Sequence, residues 1–318
     1  MRVRAIFASA LVLAVVVSGG LARAGVPIET VVAFNPAAGE FPEGLAIDKR
    51  GDIYVSLVGP VDEIRAFSPD GTQSTIAHFA VPGFGPLGIA TDASGTLYVA
   101  VASFEAATQG VYRVLSDGTS QRLTGTGGIQ FPNGLAFDHR GNLYATDSIL
   151  GAVWRIQRGG SAEIWFQSPL LEGNGAAGLG FPLGANGIAF RNNQIIVSNT
   201  EGARLVDIPV QPDGSAGSPT VMAEGPAFFG ADGIALDVHG DVFVAVNPQS
   251  TLLRVGSHGS ITSLAAAADG LNNPASLAFG TGMGDRKSLF VTNFAVFSSA
   301  PTPALLKVAV GEPGWPLP

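Results

Sequence analysis

One motif, repeated six times, constrains the fold of this chain more than any other feature. The clearest copy is FPNGLAFDHRGNLYATD, residues 131–147, and related copies begin at Phe41, Gly85, Gly184, Gly230 and Asn273. Each copy predicts a short apolar strand, a polar hairpin and a second apolar strand. The motif glycines, with a serine in the last copy, lie 44, 46, 53, 46 and 43 residues apart. This period, with four short strands per unit, predicts an all-β fold, a six-bladed β-propeller with four-stranded blades.

The repeats predict a single domain over residues 25–318, because one blade cannot bury both of its faces alone. Residues 29–34, ETVVAF, predict a strand ahead of the first motif, whereas the last repeat has only three clear strands. We expect this N-terminal strand to complete the last blade and close the ring. The longest spacing marks an insertion over 167–185, for which a lid and a filler loop are both open interpretations.

Residues 1–24 predict a secretory signal peptide that is cleaved from the mature chain. Arg2 and Arg4 precede an uncharged apolar run over 5–17, and Ala22-Arg23-Ala24 supplies small residues for a cleavage site. An uncleaved membrane anchor is the alternative, but the run is shorter than the about 20 residues that a span needs. We therefore expect an exported protein, periplasmic or extracellular, with no membrane contact after cleavage.

Composition narrows the classes of partner and chemistry. The chain has no cysteine, which excludes disulfides and thiolate chemistry. Its net charge is -8 and it has no run of Lys or Arg, which argues against nucleic acid as a partner. No G-x-S-x-G element, P-loop or His-rich zinc motif is present. We expect a monomer with a small-molecule substrate.

The candidate site is formed by the residue that precedes each motif glycine. If Pro-x-Gly is a turn that opens the innermost strand of each blade, these side chains all point toward the propeller axis. In blade order they are Glu43, Leu87, Asn133, Asn186, Asp232 and Ala275. Two buried carboxylates repel each other, and a hard cation resolves that repulsion. Two carboxylates and two amide oxygens suit Ca²⁺. The alternative is that Asn and Asp simply favour turns, which does not account for Glu43.

The repeats and the order of their axial residues resemble the senescence-marker-protein/gluconolactonase family, whose repeats are NHL-like. The resemblance implies one catalytic Ca²⁺ on the axis. The implied ligands are Glu43 in FPEGLAID, Asn133 in FPNGLAFD, Asn186 in GANGIAF and Asp232 in GADGIALD. Family members hydrolyse lactones, esters or organophosphates, and the resemblance implies catalytic roles for Asp232, as base or nucleophile, and for Glu43. Because Gly44 follows Glu43, where paraoxonase has an acidic residue for a second ion, we expect a single ion.

Two further residues are predicted to support the ligands, and other functions stay open. Asp147 and Asn199 follow the second strands of their blades at matching places, so we expect them in the second shell or the pocket wall. No histidine is predicted over the site, in contrast to paraoxonase-like enzymes. A non-enzymatic NHL-like binding propeller and a strictosidine-synthase-like or lyase-like propeller are therefore alternative functions, because a fold does not determine a function.

Overall fold

The computed structural model describes residues 22–23, 25–158 and 160–317, and these form six antiparallel sheets arranged as propeller blades. Blade one contains β3 (Phe41–Ile47), β4 (Ile53–Val58), β5 (Glu63–Phe67) and β6 (Gln73–His78). Blade two contains β7 (Gly85–Thr91), β8 (Leu97–Ala102), β9 (Gly110–Val114) and β10 (Ser120–Arg122). Blade three contains β11 (Pro132–Phe137), β12 (Leu143–Asp147), β13 (Ala152–Ile156) and β14 (Ala162–Gln167).

The remaining blades continue the same order of strands. Blade four contains β15 (Ala185–Arg191), β16 (Gln194–Asn199), β17 (Arg204–Pro209) and β18 (Thr220–Glu224). Blade five contains β19 (Ala231–Leu236), β20 (Val242–Val246), β21 (Thr251–Val255) and β22 (Ile261–Ala265). Blade six contains β23 (Pro274–Phe279), β24 (Ser288–Asn293), β25 (Ala304–Ala309) and β2 (Ile28–Ala33). The first strand of each blade contacts that of the next, and β23 contacts β3, so the predicted six-bladed ring is confirmed.

The ring closes as predicted, because the N-terminal strand completes the last blade. Strand β2 runs antiparallel to β25, with Ile28 opposite Val308 and Ala33 opposite Ala304. A further two-residue strand, β1 (Ala22–Arg23), pairs in parallel with β22. The rest of the predicted signal peptide, 1–21 and Ala24, lies outside the described residues. Helices in the described part of the chain are three-residue 3₁₀ segments: Pro36–Ala38, Thr126–Gly128, Pro226–Phe228 and Ala267–Asp269. None of the described helices is long and apolar enough to cross a membrane.

The hairpin between the first two strands of a blade is stabilised by the aspartate of the motif. In blade one, an Asp48 carboxylate oxygen accepts hydrogen bonds from the backbone N–H groups of Arg50 (2.8 Å) and Asp52 (3.0 Å). Asp138 does the same in blade three for Arg140 and Asn142, each at 2.9 Å. The side chain thus satisfies backbone donors that the hairpin leaves unpaired, which is why Asp recurs there.

The predicted Pro-x-Gly turn is wrong, because this tripeptide lies inside the innermost strand as a β-bulge. In blade three the pairing of β11 with β12 shifts between Pro132 and Leu135, and Asn133-Gly134 is the bulge. The same shift occurs in the other five blades. Pro is tolerated at such an irregularity, and a bulge redirects the side chain it carries. The bulge is therefore the feature that turns the six motif side chains toward the axis.

The motif glycine is required for the close approach of neighbouring blades. A Cβ on Gly134 would lie 2.5 Å from the carbonyl oxygen of Asn186, and one on Gly187 would lie 2.3 Å from that of Asp232. The equivalent distances for Gly44, Gly88 and Gly233 are 2.1, 2.2 and 2.6 Å. Since a side chain there would overlap the backbone of the next blade, only glycine fits these bulges.

A buried hydroxyl in the second strand links four of the blades to the next. Thr146 lies opposite the bulge of its own blade, accepts a hydrogen bond from the N–H of Gly134 (2.8 Å) and donates to the carbonyl of Asn186 (2.6 Å). Ser56, Ser198 and Thr292 do the same, donating at 2.7, 2.6 and 2.7 Å to the carbonyls of Leu87, Asp232 and Glu43. We call this arrangement the hydroxyl clamp. Ala100 and Ala245 occupy the equivalent position in blades two and five.

The predicted insertion is a loop between β14 and β15 that lies against blade four. The Glu201 carboxylate accepts hydrogen bonds from the backbone N–H groups of Asn174 and Gly175, each at 2.6 Å, and of Ala177 at 2.9 Å. Asn199 donates to the carbonyls of Leu170 (2.9 Å) and Glu172 (3.0 Å). Because buried side chains hold so much of its backbone, this loop is a fixed part of the face on which the bulges lie.

Candidate metal centre on the propeller axis

The four polar side chains predicted as ligands line one small cavity on the propeller axis. Glu43, Asn133, Asn186 and Asp232 surround about 70 Å³ of space between the six inner strands, together with Ala275 and the apolar residues that follow each bulge. Leu87, the remaining bulge residue, is buried in an apolar cluster that also contains Ala275. Side chains from distant parts of the sequence therefore converge, and the two apolar bulge residues, Leu87 and Ala275, lie in the blades on either side of Glu43.

The two carboxylates of this cavity are buried and affect each other's ionisation. Burial raises the pKa of Glu43 well above its usual range, and repulsion from the Asp232 carboxylate raises it further. Burial also raises the pKa of Asp232, to about 7, although hydrogen bonds from Asn247, Asn186 and the Gly233 N–H favour its ionised form. A bound cation would reverse both shifts, since it favours the charged form of each carboxylate.

Each amide is oriented by a hydroxyl from the loop after the second strand of its blade. Asn133 donates through Nδ2 to the Ser148 hydroxyl (3.3 Å), which donates in turn to the carbonyl of Ala185 (2.6 Å). Asn186 donates through Nδ2 to the Thr200 hydroxyl (3.0 Å), which donates to the carbonyl of Ala231 (2.9 Å). With the nitrogens held in this way, the amide oxygens are the atoms available to a hard cation.

The donor set fits a Ca²⁺ ion. Among the described residues, no group of three or more His, Cys, Asp or Glu side chains is placed to hold a metal. A metal on the axis would therefore use both amide oxygens together with the two carboxylates. This all-oxygen set, without sulfur or imidazole, suits calcium better than zinc or copper. The bulge geometry also weakens the alternative that Asn and Asp occur here as turn formers, because these positions are not turns.

Asn247 is a neighbour of the candidate ligand Asp232, and the repeated motif by itself does not identify it as one. It follows β20, and its Nδ2 donates to a carboxylate oxygen of Asp232 (3.2 Å). Its own backbone carbonyl accepts a hydrogen bond from Asn273 (3.2 Å), which holds the loop against blade six. The available signal was its place after a second strand, which it shares with Asp147 and Asn199.

Asp147 and Asn199 hydrogen-bond loop backbone and do not contact the amide groups of Asn133 and Asn186. The buried Asp147 carboxylate accepts from the N–H groups of Gln130 (2.8 Å) and Phe131 (3.1 Å), directly before the bulge of blade three. Asn199 holds the insertion. The side chains that touch the two amides belong to the next residues in sequence, Ser148 and Thr200. The predicted support of the candidate ligands by Asp147 and Asn199 would therefore act through the backbone.

Comparisons with known proteins agree with this fold and with the predicted resemblance. Residues 182–295 match the model of the SMP-30/gluconolactonase/LRE-like region. A search of curated protein sequences finds no match. A luciferin-regenerating enzyme is similar in structure with a TM-score of 0.68 at 14% identity, over 92% of this chain and 98% of the other. A calcium-binding protein, regucalcin, from Agrobacterium tumefaciens gives 0.68 at 15% identity, over 93% and 98% of the two chains.

A lyase has the same architecture with lower similarity. Virginiamycin B lyase from Staphylococcus aureus gives a TM-score of 0.58 at 12% identity, over 88% of each chain. At such identities the structural matches show the fold alone. The sequence match covers blades four and five and most of the inner half of blade six, which include the bulges of Asn186, Asp232 and Ala275. By this match and by its six-bladed fold, the chain resembles the SMP-30/gluconolactonase/LRE-like family.

Proposed function

We propose that this protein is an exported, Ca²⁺-dependent hydrolase of a small lactone or ester. The observation that carries the proposal is the axial cavity, in which two buried carboxylates and two oriented amides meet. Glu43, Asn133, Asn186 and Asp232 would hold the ion. When bound, Ca²⁺ acts as a Lewis acid that polarises a carbonyl group and stabilises the negative charge that develops on its oxygen.

The protein's own side chains supply orientation and a proton acceptor. Asn247 donates to one oxygen of Asp232, which fixes the plane of that carboxylate. In the ionised form, the Asp232 carboxylate can accept a proton from a water molecule that attacks the substrate, or can itself attack as a nucleophile. The Glu43 carboxylate, two blades away from Asp232 around the ring, would contribute the second negative charge that balances the ion. The regucalcin relative is described as calcium-binding, and the family model includes gluconolactonases, which supports this chemistry.

The decisive test compares calcium binding by the wild-type protein and by Asp232→Asn after removal of bound metal with a chelator. We expect Ca²⁺ to raise the melting temperature of the wild type, and the variant to bind at least about tenfold more weakly. Asp207→Asn is the matched control, because Asp207 is a partly buried aspartate with a raised pKa in β17, away from the axis. No binding heat and no thermal shift in the wild type would overturn the metal proposal.

Activity is tested separately on a panel of lactones and esters, with release of acid as the readout. Turnover that depends on calcium and is lost in Asp232→Asn would support hydrolysis. Product analysis distinguishes hydrolysis from elimination, since a lyase forms a new double bond and does not add water. Calcium binding without turnover of any substrate would favour the non-enzymatic binding propeller.

A further inference from the structure

Four phenylalanine rings form one connected cluster on the face where the bulges lie. Phe84 and Phe131 precede the bulges of blades two and three, Phe104 follows β8, and Phe181 belongs to the insertion. All six pairs of rings are in contact, with centroid separations from 5.3 to 6.3 Å. Four loops from different parts of the chain thus build a single aromatic surface.

The cluster leads from solvent to the axial cavity. The Phe104 side chain is 46% exposed, Phe84 and Phe181 are half-buried, and Phe131 is buried. Phe131, Phe84 and Phe181 belong to the same apolar cluster as Leu87 and Ala275, the two apolar bulge residues of the axial ring. The two apolar bulge residues that flank Glu43 are therefore continuous with an aromatic surface that reaches water.

Phe104 has an unfavourable backbone conformation, and its ring is exposed to solvent. Its φ is 59°, in the left-handed region that glycine or asparagine tolerates far better than an aromatic residue. The loop is fixed around it: the Thr108 hydroxyl donates to the Ser103 hydroxyl (2.8 Å), and Arg122 donates to the carbonyl of Ala106 (2.7 Å). An exposed, strained and rigidly mounted aromatic ring is difficult to explain by stability alone.

We propose that this aromatic cluster binds the apolar chain of the substrate, so that the site accepts an alkyl-substituted lactone or ester rather than a polyol lactone. The inference rests on the proposed function and specifies its substrate class. A sugar lactone needs hydrogen-bonding partners for its hydroxyl groups, and a wall of four phenyl rings offers none. An alkyl chain gains free energy with each methylene that it buries against the rings.

The first test measures kcat/KM for γ-butyrolactone, γ-octalactone, γ-undecalactone and glucono-δ-lactone. We expect kcat/KM to rise with chain length, by up to about fourfold per buried methylene, and to be lowest for the polyol. Phe104→Ser should flatten this dependence on chain length, and Phe104→Leu should retain most of it. Ile164→Ser is the matched control, because Ile164 is equally exposed at 46% in the outer strand β14. A flat chain-length profile, or an equal effect of Ile164→Ser, would overturn the proposal.

The second test separates the aromatic site from hydrolysis. Calorimetry with 2-heptylcyclopentanone, which has a ring and a chain but no ester bond, reports binding without turnover. One outcome is that the wild type binds the ketone, Phe104→Ser binds it at least about fivefold more weakly, and no lactone is hydrolysed. This outcome would support the apolar binding site and overturn the hydrolase proposal. If glucono-δ-lactone is the one substrate hydrolysed and the ketone does not bind, the hydrolase proposal is supported and the apolar binding site is overturned.

Discussion

The six interfaces between blades are of two kinds, and both interfaces that lead to a candidate carboxylate ligand are of the same kind. At four of them the hydroxyl clamp joins a bulge to the carbonyl of the next axial residue, and at the other two an alanine takes the place of the hydroxyl. The clamped carbonyls belong to Glu43, Leu87, Asn186 and Asp232. Both candidate carboxylate ligands are therefore fixed from the neighbouring blade. The carbonyls opposite Ala100 and Ala245 belong to Asn133 and Ala275, which carry no charge. The clamp is thus present at both carboxylates, but it is also present at the uncharged Leu87 and Asn186, so charge alone does not decide where it occurs.

The largest effect is expected where the close approach of two clamped blades is broken. Gly187→Ala places a methyl group 2.3 Å from the carbonyl oxygen of Asp232, so one of the two inner strands must move. We expect a loss of more than about 3 kcal/mol in the free energy of unfolding, measured by thermal or denaturant unfolding. Gly284→Ala is the control, since a Cβ there has open space around it. A cost for Gly187→Ala no greater than for the control would show that the interface is loose.

Removal of a single clamp is expected to have the next largest effect. Ser198→Ala deprives the Gly187 N–H and the Asp232 carbonyl of a buried partner, which should cost about 1–3 kcal/mol and weaken calcium binding. Ser215→Ala removes a hydroxyl that bonds only an exposed aspartate, and should cost almost nothing. The idea that the clamp positions a ligand fails if Ser198→Ala lowers stability but leaves calcium affinity unchanged.

The buried carboxylates of Glu43 and Asp232 also predict how stability depends on pH in chelator-treated protein. Their pKa values are raised on folding, so between about pH 4 and pH 7 the folded state retains protons that the unfolded state has released. Stability should consequently fall as the pH rises through this range, by up to about 1.4 kcal/mol per unit for each group. Melting curves of Asp232→Asn should show a shallower fall. The pKa of Asp62 is also raised to about 7, and Asp62 contributes equally in both proteins. The difference in slope between wild type and variant therefore reports on the axial pair alone. An identical slope for both proteins would contradict the shift.

The smallest effect is expected from adding a clamp where none exists. Ala100→Ser places a hydroxyl opposite the bulge of blade two, near the carbonyl of Asn133, as Ser56 does in blade one. We expect a gain of about 0.5–1 kcal/mol in the free energy of unfolding. Ala90→Ser, at a buried position in β7 outside the bulge, is the control. A loss of stability in Ala100→Ser equal to that of the control would show that this interface has no room for the bridge.

The repeats were sufficient to predict the blades, the closing strand and the convergence of four polar side chains. Convergence follows from symmetry, because equivalent positions in a closed ring must face the same axis. The bulge could not be foreseen, since Pro-x-Gly is compatible with a turn and with an irregular strand. The contacts of Ser148 and Thr200 with the two amides were harder still to predict. Hydroxyl side chains hydrogen-bond in most loops, and only the packing of the next blade shows which atoms they meet.

The bulge also has a consequence for the chemistry that the axis can carry. Six copies of one backbone irregularity carry six different side chains, Glu, Leu, Asn, Asn, Asp and Ala, with the same shift of register in each blade. The backbone of the bulge is therefore the same for charged, amide and apolar side chains, although the two buried carboxylates affect stability. The same shift of register can thus present a carboxylate, an amide or an apolar group to the axis, so the chemistry of the centre can differ between blades without a different strand pairing.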